Sequence, residues 1–301
     1  MLCMNTPTDL RRYAWLSIAA ALVTIGLKTA AWYVTGSVGL LSDAAESVVN
    51  LVAAVMALAA LTVAAKPADK NHHFGHTKAE YFSAAVEGLM IFVAAAFILV
   101  SSIERFFNPQ ELDNVGIGLG ISLVAAAVNG TVAVVLLQVG RRHRSITLVA
   151  DGKHLMTDVW TSAGVVVGVL LVALTGWARL DALIAFLVGV NILVTGWRLI
   201  IQSTAGFMDV SLPKDDNDKI RSILESFTSD EVQFHALRTR EAGRLRFMSV
   251  HILVPGRWTV QAGHDLTENI SDGIRGEYPE LRVICHVEPI EDPRSYEDEL
   301  L

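Results

Sequence analysis

The stretch ADGKHLMTDVWTSAGV, Ala150–Val165, decides how the chain is read. His154 and Asp158 stand four apart in it, so on a helix they project from one face, one turn above the other. The segment runs on into GVVVGVLLVAL, which is apolar enough to lie in a bilayer. Ionisable side chains at membrane depth are costly and tend to face a cavity or a partner, which makes them candidates for function. The plain alternative is a helix start whose polar residues sit at headgroup level, a few residues past the basic run Arg141–Arg144.

Composition supports a membrane reading. Hydrophobic residues make up 52% of the 301 residues, and the mean hydropathy is +0.44. An ordinary soluble domain has roughly 45–50% even with Gly included. The net charge of -7 is unevenly spread. Residues 209–301 hold 19 Asp and Glu against 11 Lys and Arg, whereas residues 1–208 are close to balanced. The acidic part excludes nucleic acid as the expected partner and suits metal cations. Cys3 and Cys285 form no CxxC and no pattern of pairs, so neither a disulfide framework nor a thiolate zinc finger is expected.

Outward from the opening stretch, six segments reach the roughly 20 apolar residues that span hydrocarbon. They lie near 13–35, 38–64, 81–103, 115–138, 147–174 and 180–202. The first lacks a strongly basic lead and a convincing cleavage site, so it reads as a retained helix. Arg11 and Arg12, then Lys66, Lys70 and Lys78, then Arg141, Arg142 and Arg144 fall on one side. The alternate connections carry only Arg105 and Arg179. Positive charge favours the cytoplasmic side, which places both termini there and predicts a multi-pass inner (plasma) membrane protein.

From Asp209 the pattern becomes that of a soluble domain. KDDNDKIRSILESF has helical spacing at Ile220, Ile223, Leu224 and Phe227. EVQFHALRTREA and RLRFMSVHILV alternate with period two around Ala242–Gly243, a hairpin signal. VQAGHDLTENISDGIRGEY reads as a second helix and LRVICHVEPI as a third strand. The order αββαβ predicts helices packed on one face of a small sheet. Residues 291–301, EDPRSYEDELL, are expected to be a disordered acidic tail. The domains are therefore 1–208, 209–290 and the tail.

Three clusters carry chemistry. Span two contains LLSDAAESVVNLV, in which Glu46 and Asn50 share a face as His154 and Asp158 do. Two helices each presenting two donors at this spacing can close a four-ligand metal site. The competing reading makes Ser47, Asn50, Thr157, Thr161 and Ser162 polar glue between helices. In the loop KPADKNHHFGHTKAE, Asp69, His72, His73 and His76 fall within eight residues, with Gly75 permitting a tight turn. Carboxylate and imidazole together suit zinc and its neighbours; a solvated loop with incidental histidines is the alternative. The acidic domain adds His235, His251, His264, His286 and Glu288. The last two, at i and i+2 on a strand, point to one face.

In these residues the chain resembles the cation diffusion facilitator family of divalent-metal/proton antiporters, within it the bacterial ferrous-iron and zinc efflux branch. The likeness covers about residues 12–290. It rests on the His-x-x-x-Asp of span five, on Asp69, His72 and His76 within DKNHHFGHTKAE, and on His235, His251, His264 and His286 with Glu288 where the branch commonly has Asp. The resemblance implies a six-helix transmembrane bundle followed by a metallochaperone-like cytoplasmic domain. It also implies a homodimer with a salt bridge between Lys78 and Asp209 near the interface, and proton-coupled efflux of a metal held by Glu46, Asn50, His154 and Asp158. The branch usually has Asp-x-x-x-Asp on span two, so Glu46-x-x-x-Asn50 is a departure that removes one formal charge. The resulting oxygen-rich set suits zinc first, and also Mn(II), Fe(II), Co(II) or Cd(II). Neither an enzyme nor an organic cofactor is expected. A membrane-anchored metal sensor would show metal-dependent dimer closure without flux. An intramembrane metalloenzyme would need an open coordination position and a general base, and no HExxH is present.

Overall fold

The computed structural model describes the backbone of residues 9–35, 38–108, 115–177 and 179–300. Side chains are described for these residues except at 31, 32, 34, 35, 38–46, 49, 115–119, 122, 165, 169, 173, 181 and 298–300. The chain divides into two compact units, Met1–Thr204 and Ala205–Leu301.

The first unit is helical: α1 (Arg11–Thr35), α2 (Val38–Ala64), α3 (Ala79–Phe107), α4 (Val115–Arg142), α5 (Ile146–Thr175) and α6 (Arg179–Phe207, its last turn in the second unit). Helix α2 matches its expected span, and the others match theirs with one to five residues added at an end. Among the described residues, five of them carry stretches long and apolar enough to cross a membrane; in α2 the described apolar stretch is the shorter Asn50–Ala64. The chain is a multi-pass membrane protein.

Beside large buried side chains such as Leu136, Leu148 and Leu155, this unit buries many alanines and leaves large apolar residues outside. Ala53, Ala54, Ala57, Ala84, Ala95, Ala133 and Ala150 are fully enclosed, while Trp15, Phe82, Phe97, Leu187 and Trp197 face outward. Lipid solvates large apolar side chains as well as a core would, so helices gain most by approaching closely over small residues. The α4–α5 contact shows this. A Cβ on Gly152 would stand 2.9 Å from Leu137 Cγ and 3.2 Å from the Ala133 carbonyl; one on Gly140 would stand 2.9 Å from the Val149 backbone nitrogen. Helix α5 starts at Ser145, whose Oγ accepts the Leu148 N–H at 3.4 Å. It stops at Gly176, where φ is +71°, a left-handed cap that glycine adopts without steric cost.

The second unit contains α7 (Lys214–Glu225), β1 (Gln233–Ala242), β2 (Leu245–Val254), α8 (Val260–Glu277) and β3 (Leu281–Pro289). The sheet order is β1-β2-β3, with β1–β2 antiparallel and β2–β3 parallel. A parallel pair needs a crossover, which α8 supplies. The hairpin turns over Gly243, with φ +60°, and Arg244, one residue later than expected. Ile220 and Leu224 of α7 and Ile270 and Ile274 of α8 pack on Met248, Val250 and Ile252, so the even-numbered face of β2 meets the helices. The odd-numbered face carries His251. The αββαβ order is as expected.

The tail differs from expectation. Pro293–Leu300 forms a 3-10 segment. Ser295 is buried and donates to the Pro289 carbonyl at 2.8 Å, and the Tyr296 hydroxyl donates to the Ile290 carbonyl at 3.1 Å. Acidic composition argued for disorder, but Ser295 and Tyr296 supply enough anchoring to the strand end to outweigh it.

Replacing Gly152 by Val should drive α4 and α5 apart, since overpacking of this kind costs about 1–3 kcal/mol. The expected outcome is a melting temperature in detergent several degrees below the parent, with Gly152→Ala intermediate, read by thermal unfolding of the purified protein.

Candidate metal centre

Span five places its pair as the spacing requires. His154 and Asp158 are 6% and 9% exposed, and Asn50 of α2 is 3% exposed. The His154 Nε2–H donates to Asn50 Oδ1 at 2.8 Å. The same amide donates through Nδ2 to Asp158 Oδ2. Three residues from two helices therefore share one buried polar centre. Glu46 lies on α2 one turn before Asn50; its side chain is outside the described residues.

A fourth group comes from α4, which the sequence reading did not single out. Asn129, 2% exposed, donates from Nδ2 to Asp158 Oδ2 at 3.0 Å. The available signal was an amide isolated within the apolar run AVNGTVAVV. Three buried acids, Asp151, Glu87 and Glu80, were also passed over. Asp151, one turn before His154, accepts from Ser17 of α1 at 3.0 Å, and Glu87 of α3 accepts from Ser83 at 3.0 Å.

The loop between α2 and α3 brings its ligand types together. Asp69 Oδ1 accepts the backbone N–H of Asn71 and of His72, both at 2.8 Å, and Nδ1 of His72 lies 3.2 Å from it. Nε2 of His76 is 3.4 Å from Asp69 Oδ2. Gly75, at φ +87°, turns the chain between the two histidines. The hydrogen bonds from Asn71 and His72 hold the Asp69 carboxyl below its ordinary pKa. One potential ligand atom from each of Asp69, His72 and His76 lies within 4.8 Å of the others; His73 is not in the group.

On the sheet of the second unit, strand register makes the third centre. His235 pairs with His251, and His251 with His286, so three imidazoles form a row across β1, β2 and β3 on the face away from the helices. Adjacent rings are 5.1 and 4.9 Å apart. Glu288 Oε2 lies 3.0 Å from His235 Nε2 and 3.1 Å from His251 Nδ1. Its Oε1 is 3.4 Å from His286 Nδ1. His235, His251 and Glu288 satisfy the spacing of a metal site, with His286 at the exposed edge, 64% accessible. His264 is exposed on α8 and is not in the group. A β-bulge between His235 and Arg238, with Ala236 at φ +48°, lies beside this site. Lys78 precedes α3 in the first unit; Asp209, in the second, pairs with Arg240 at 2.9 Å.

The pattern of the cation efflux transmembrane domain matches residues 14–208, and that of the cation efflux protein cytoplasmic domain matches 212–290. The chain belongs to the cation diffusion facilitator family. An uncharacterised transporter of Synechocystis sp., sll1263, is 52% identical over 287 residues, 95% of this chain and 93% of that protein. The cation-efflux pump FieF of Serratia proteamaculans is 30% identical over 278 residues, 92% of this chain and 91% of that protein. A solved structure of the metal-bound C-terminal domain of the CzcD transporter from Thermotoga maritima is 29% identical over 27% of this chain and 99% of its own, with a TM-score of 0.25. This diffusion facilitator is accordingly a cation efflux transporter, and the row of imidazoles lies in its family's cytoplasmic domain.

Two outcomes follow for the loop and sheet centres. Because the folded pKa of Asp69 is depressed, its contribution to the loop is complete above the unfolded carboxylate value and fades as pH falls through the lowered one. Amide protection at Asn71 and His72, followed by hydrogen exchange, should track that fall. For the sheet site, Glu288→Ala should weaken Zn(II) binding by about tenfold or more, measured by competition with a chelating dye. Binding should weaken in acid, since ligating imidazoles must shed their protons.

Proposed function

We propose that the chain is a divalent transition-metal efflux transporter that works as a metal/proton antiporter by alternating access in a homodimer, in the inner (plasma) membrane with both termini cytoplasmic. The cargo is held by Glu46, Asn50, His154 and Asp158. Zn(II) is the first candidate, with Fe(II), Mn(II), Co(II) and Cd(II) admitted by the oxygen-rich set. The observation that carries this reading is the buried meeting of Asn50, His154 and Asp158 across two spans.

The chemistry follows from what each group must do. A metal ion takes the imidazole nitrogen of His154 only when that nitrogen is unprotonated, and takes the carboxylates of Glu46 and Asp158 when they are ionised. Loading therefore releases protons, and protons arriving from the far side displace the metal. The ion must also break the hydrogen bonds that Asn50 makes to His154 and Asp158. Asn50 thus exchanges one pair of polar partners for another. Rocking of the helices bearing the site would expose it to either side in turn.

The cytoplasmic domain, residues 209–290, is the regulatory and dimerising part. A metal at His235, His251, Glu288 and His286 raises the stability of the closed dimer when cytoplasmic metal rises. Asp69, His72 and His76 form a further site in the loop, and the Lys78–Asp209 pair transmits closure to the spans.

Inverted vesicles with an imposed proton gradient should accumulate Zn(II), and Asp158→Ala should abolish that uptake; undiminished uptake in the variant would sink the site assignment. Asn50→Asp sets a second carboxylate beside Asp158. The expected result is tighter metal binding with uptake more sensitive to acid, since each added proton then competes for a site of higher negative charge.

A further inference from the structure

Asn129 reaches the transport site from α4, a helix that contributes none of the four residues placed there so far. Its amide is 2% exposed and is hydrogen-bonded at its nitrogen end. Nδ2 donates to Asp158 Oδ2 at 3.0 Å, whereas Oδ1 is buried and has no hydrogen-bond partner among the described residues. The orientation follows from chemistry, because an ionised carboxylate accepts hydrogen bonds and so draws the N–H end. A residue serving only as glue between helices would be expected to use both ends, since an unmet buried carbonyl is destabilising. Retreat is closed to it as well. Gly140 and Gly152 bring α4 and α5 into backbone contact, and Gly130, next to Asn129, has Val159 of α5 at 3.4 Å from where a Cβ would stand.

We propose that Asn129 is a fifth metal-facing group of the transport site, and that its Oδ1 extends the cargo from tetrahedral zinc to divalent ions that take five or six ligands, Mn(II) and Fe(II) foremost. The inference rests on the transport-site reading given above. Glu46, Asn50, His154 and Asp158 already suffice for zinc, which is content with four ligands. Adding the Asn129 carbonyl makes four oxygen-bearing side chains to one imidazole. Hard oxygen donors in higher number suit Mn(II) and Fe(II), and selectivity among first-row ions is set by ligand number and type, since raw affinity favours zinc over both. The amide adds no charge, so the proton balance at His154, Glu46 and Asp158 is unchanged. While Nδ2 keeps hold of Asp158, Oδ1 is the atom that the ion completes.

The test uses the full-length protein in proteoliposomes, with Mn(II) and Zn(II) uptake measured separately under the same proton gradient. Asn129→Leu deletes both ends of the amide, and Asn129→Asp keeps an oxygen donor while losing the N–H. Asn129→Leu should lower the Mn(II)-to-Zn(II) uptake ratio by about tenfold, the scale on which supporting groups act at metal sites, while Asn129→Asp keeps the ratio at or above the parent's. Where Asn129→Leu does not insert, Asn129→Ser, which shortens the side chain away from the ion, is read by the same ratio. An unchanged ratio in Leu or Ser overturns the proposal, as does an equal loss of both fluxes. So does a fall in Asn129→Asp matching that in Asn129→Leu, since the N–H to Asp158 would then be all that mattered. Asp158→Ala in the same preparation separates the two levels. Retained flux there removes the transport site itself, whereas abolished flux with an unaltered ratio in the Asn129 variants removes only the present inference.

Discussion

The amide of Asn50 accepts from His154 and donates to Asp158 within one buried centre, and the polar heart of the helical unit is held together by that pair of hydrogen bonds. A carboxylate at position 50 could not do both. It would accept from His154 and repel Asp158, so an empty site would need protons or a cation to close. With an amide, His154 and Asp158 are both met at position 50 without a cation. Under the transport function proposed above, a bound ion has to outweigh these two hydrogen bonds, and its release is correspondingly easier.

The rest of the helical unit is arranged so that such a centre can exist at membrane depth. Buried acids are costly in hydrocarbon unless partnered. Asp151 has Ser17, Glu87 has Ser83, and Glu80 accepts from Ser145 at the start of α5. Each partner is a small hydroxyl, on a neighbouring helix or its cap for Asp151 and Glu80 and one turn away on the same helix for Glu87, which satisfies the acid without occupying much volume. The alanine-rich interfaces serve the same end, because helices that approach closely leave room for polar groups only where side chains meet by design of the sequence.

The helical framework was legible because hydrophobic length is a strong signal, and the expected spans fall within a few residues of α1 to α6. The αββαβ order was legible from periods of 3.6 and 2 and from the glycine at position 243. The ends of the polar clusters were legible as well: Asp69 with His72 and His76, and His235 with His251 and Glu288, converge in the structure. Asn129 was not, since one amide in an apolar run carries no periodic signature; only its long-range contact with Asp158 distinguishes it. His264 was grouped with the strand histidines on residue type alone, and its place on an exposed face of α8 separates it from them. The ordered 3-10 segment at 293–300 was missed because composition counts charges and does not see that Ser295 and Tyr296 each find a carbonyl on the chain just ahead of them.

The glycine contacts between α4 and α5 divide the polar centre mechanically. Helices in backbone contact at Gly140 and Gly152 cannot slide without collision, so α4 and α5 behave as one stiff body that carries Asn129, His154 and Asp158 together. Asn50 belongs to α2, and its two hydrogen bonds cross from that helix to the α4–α5 body. Any relative displacement of the two stretches these bonds, which makes position 50 a latch between α2 and the α4–α5 body.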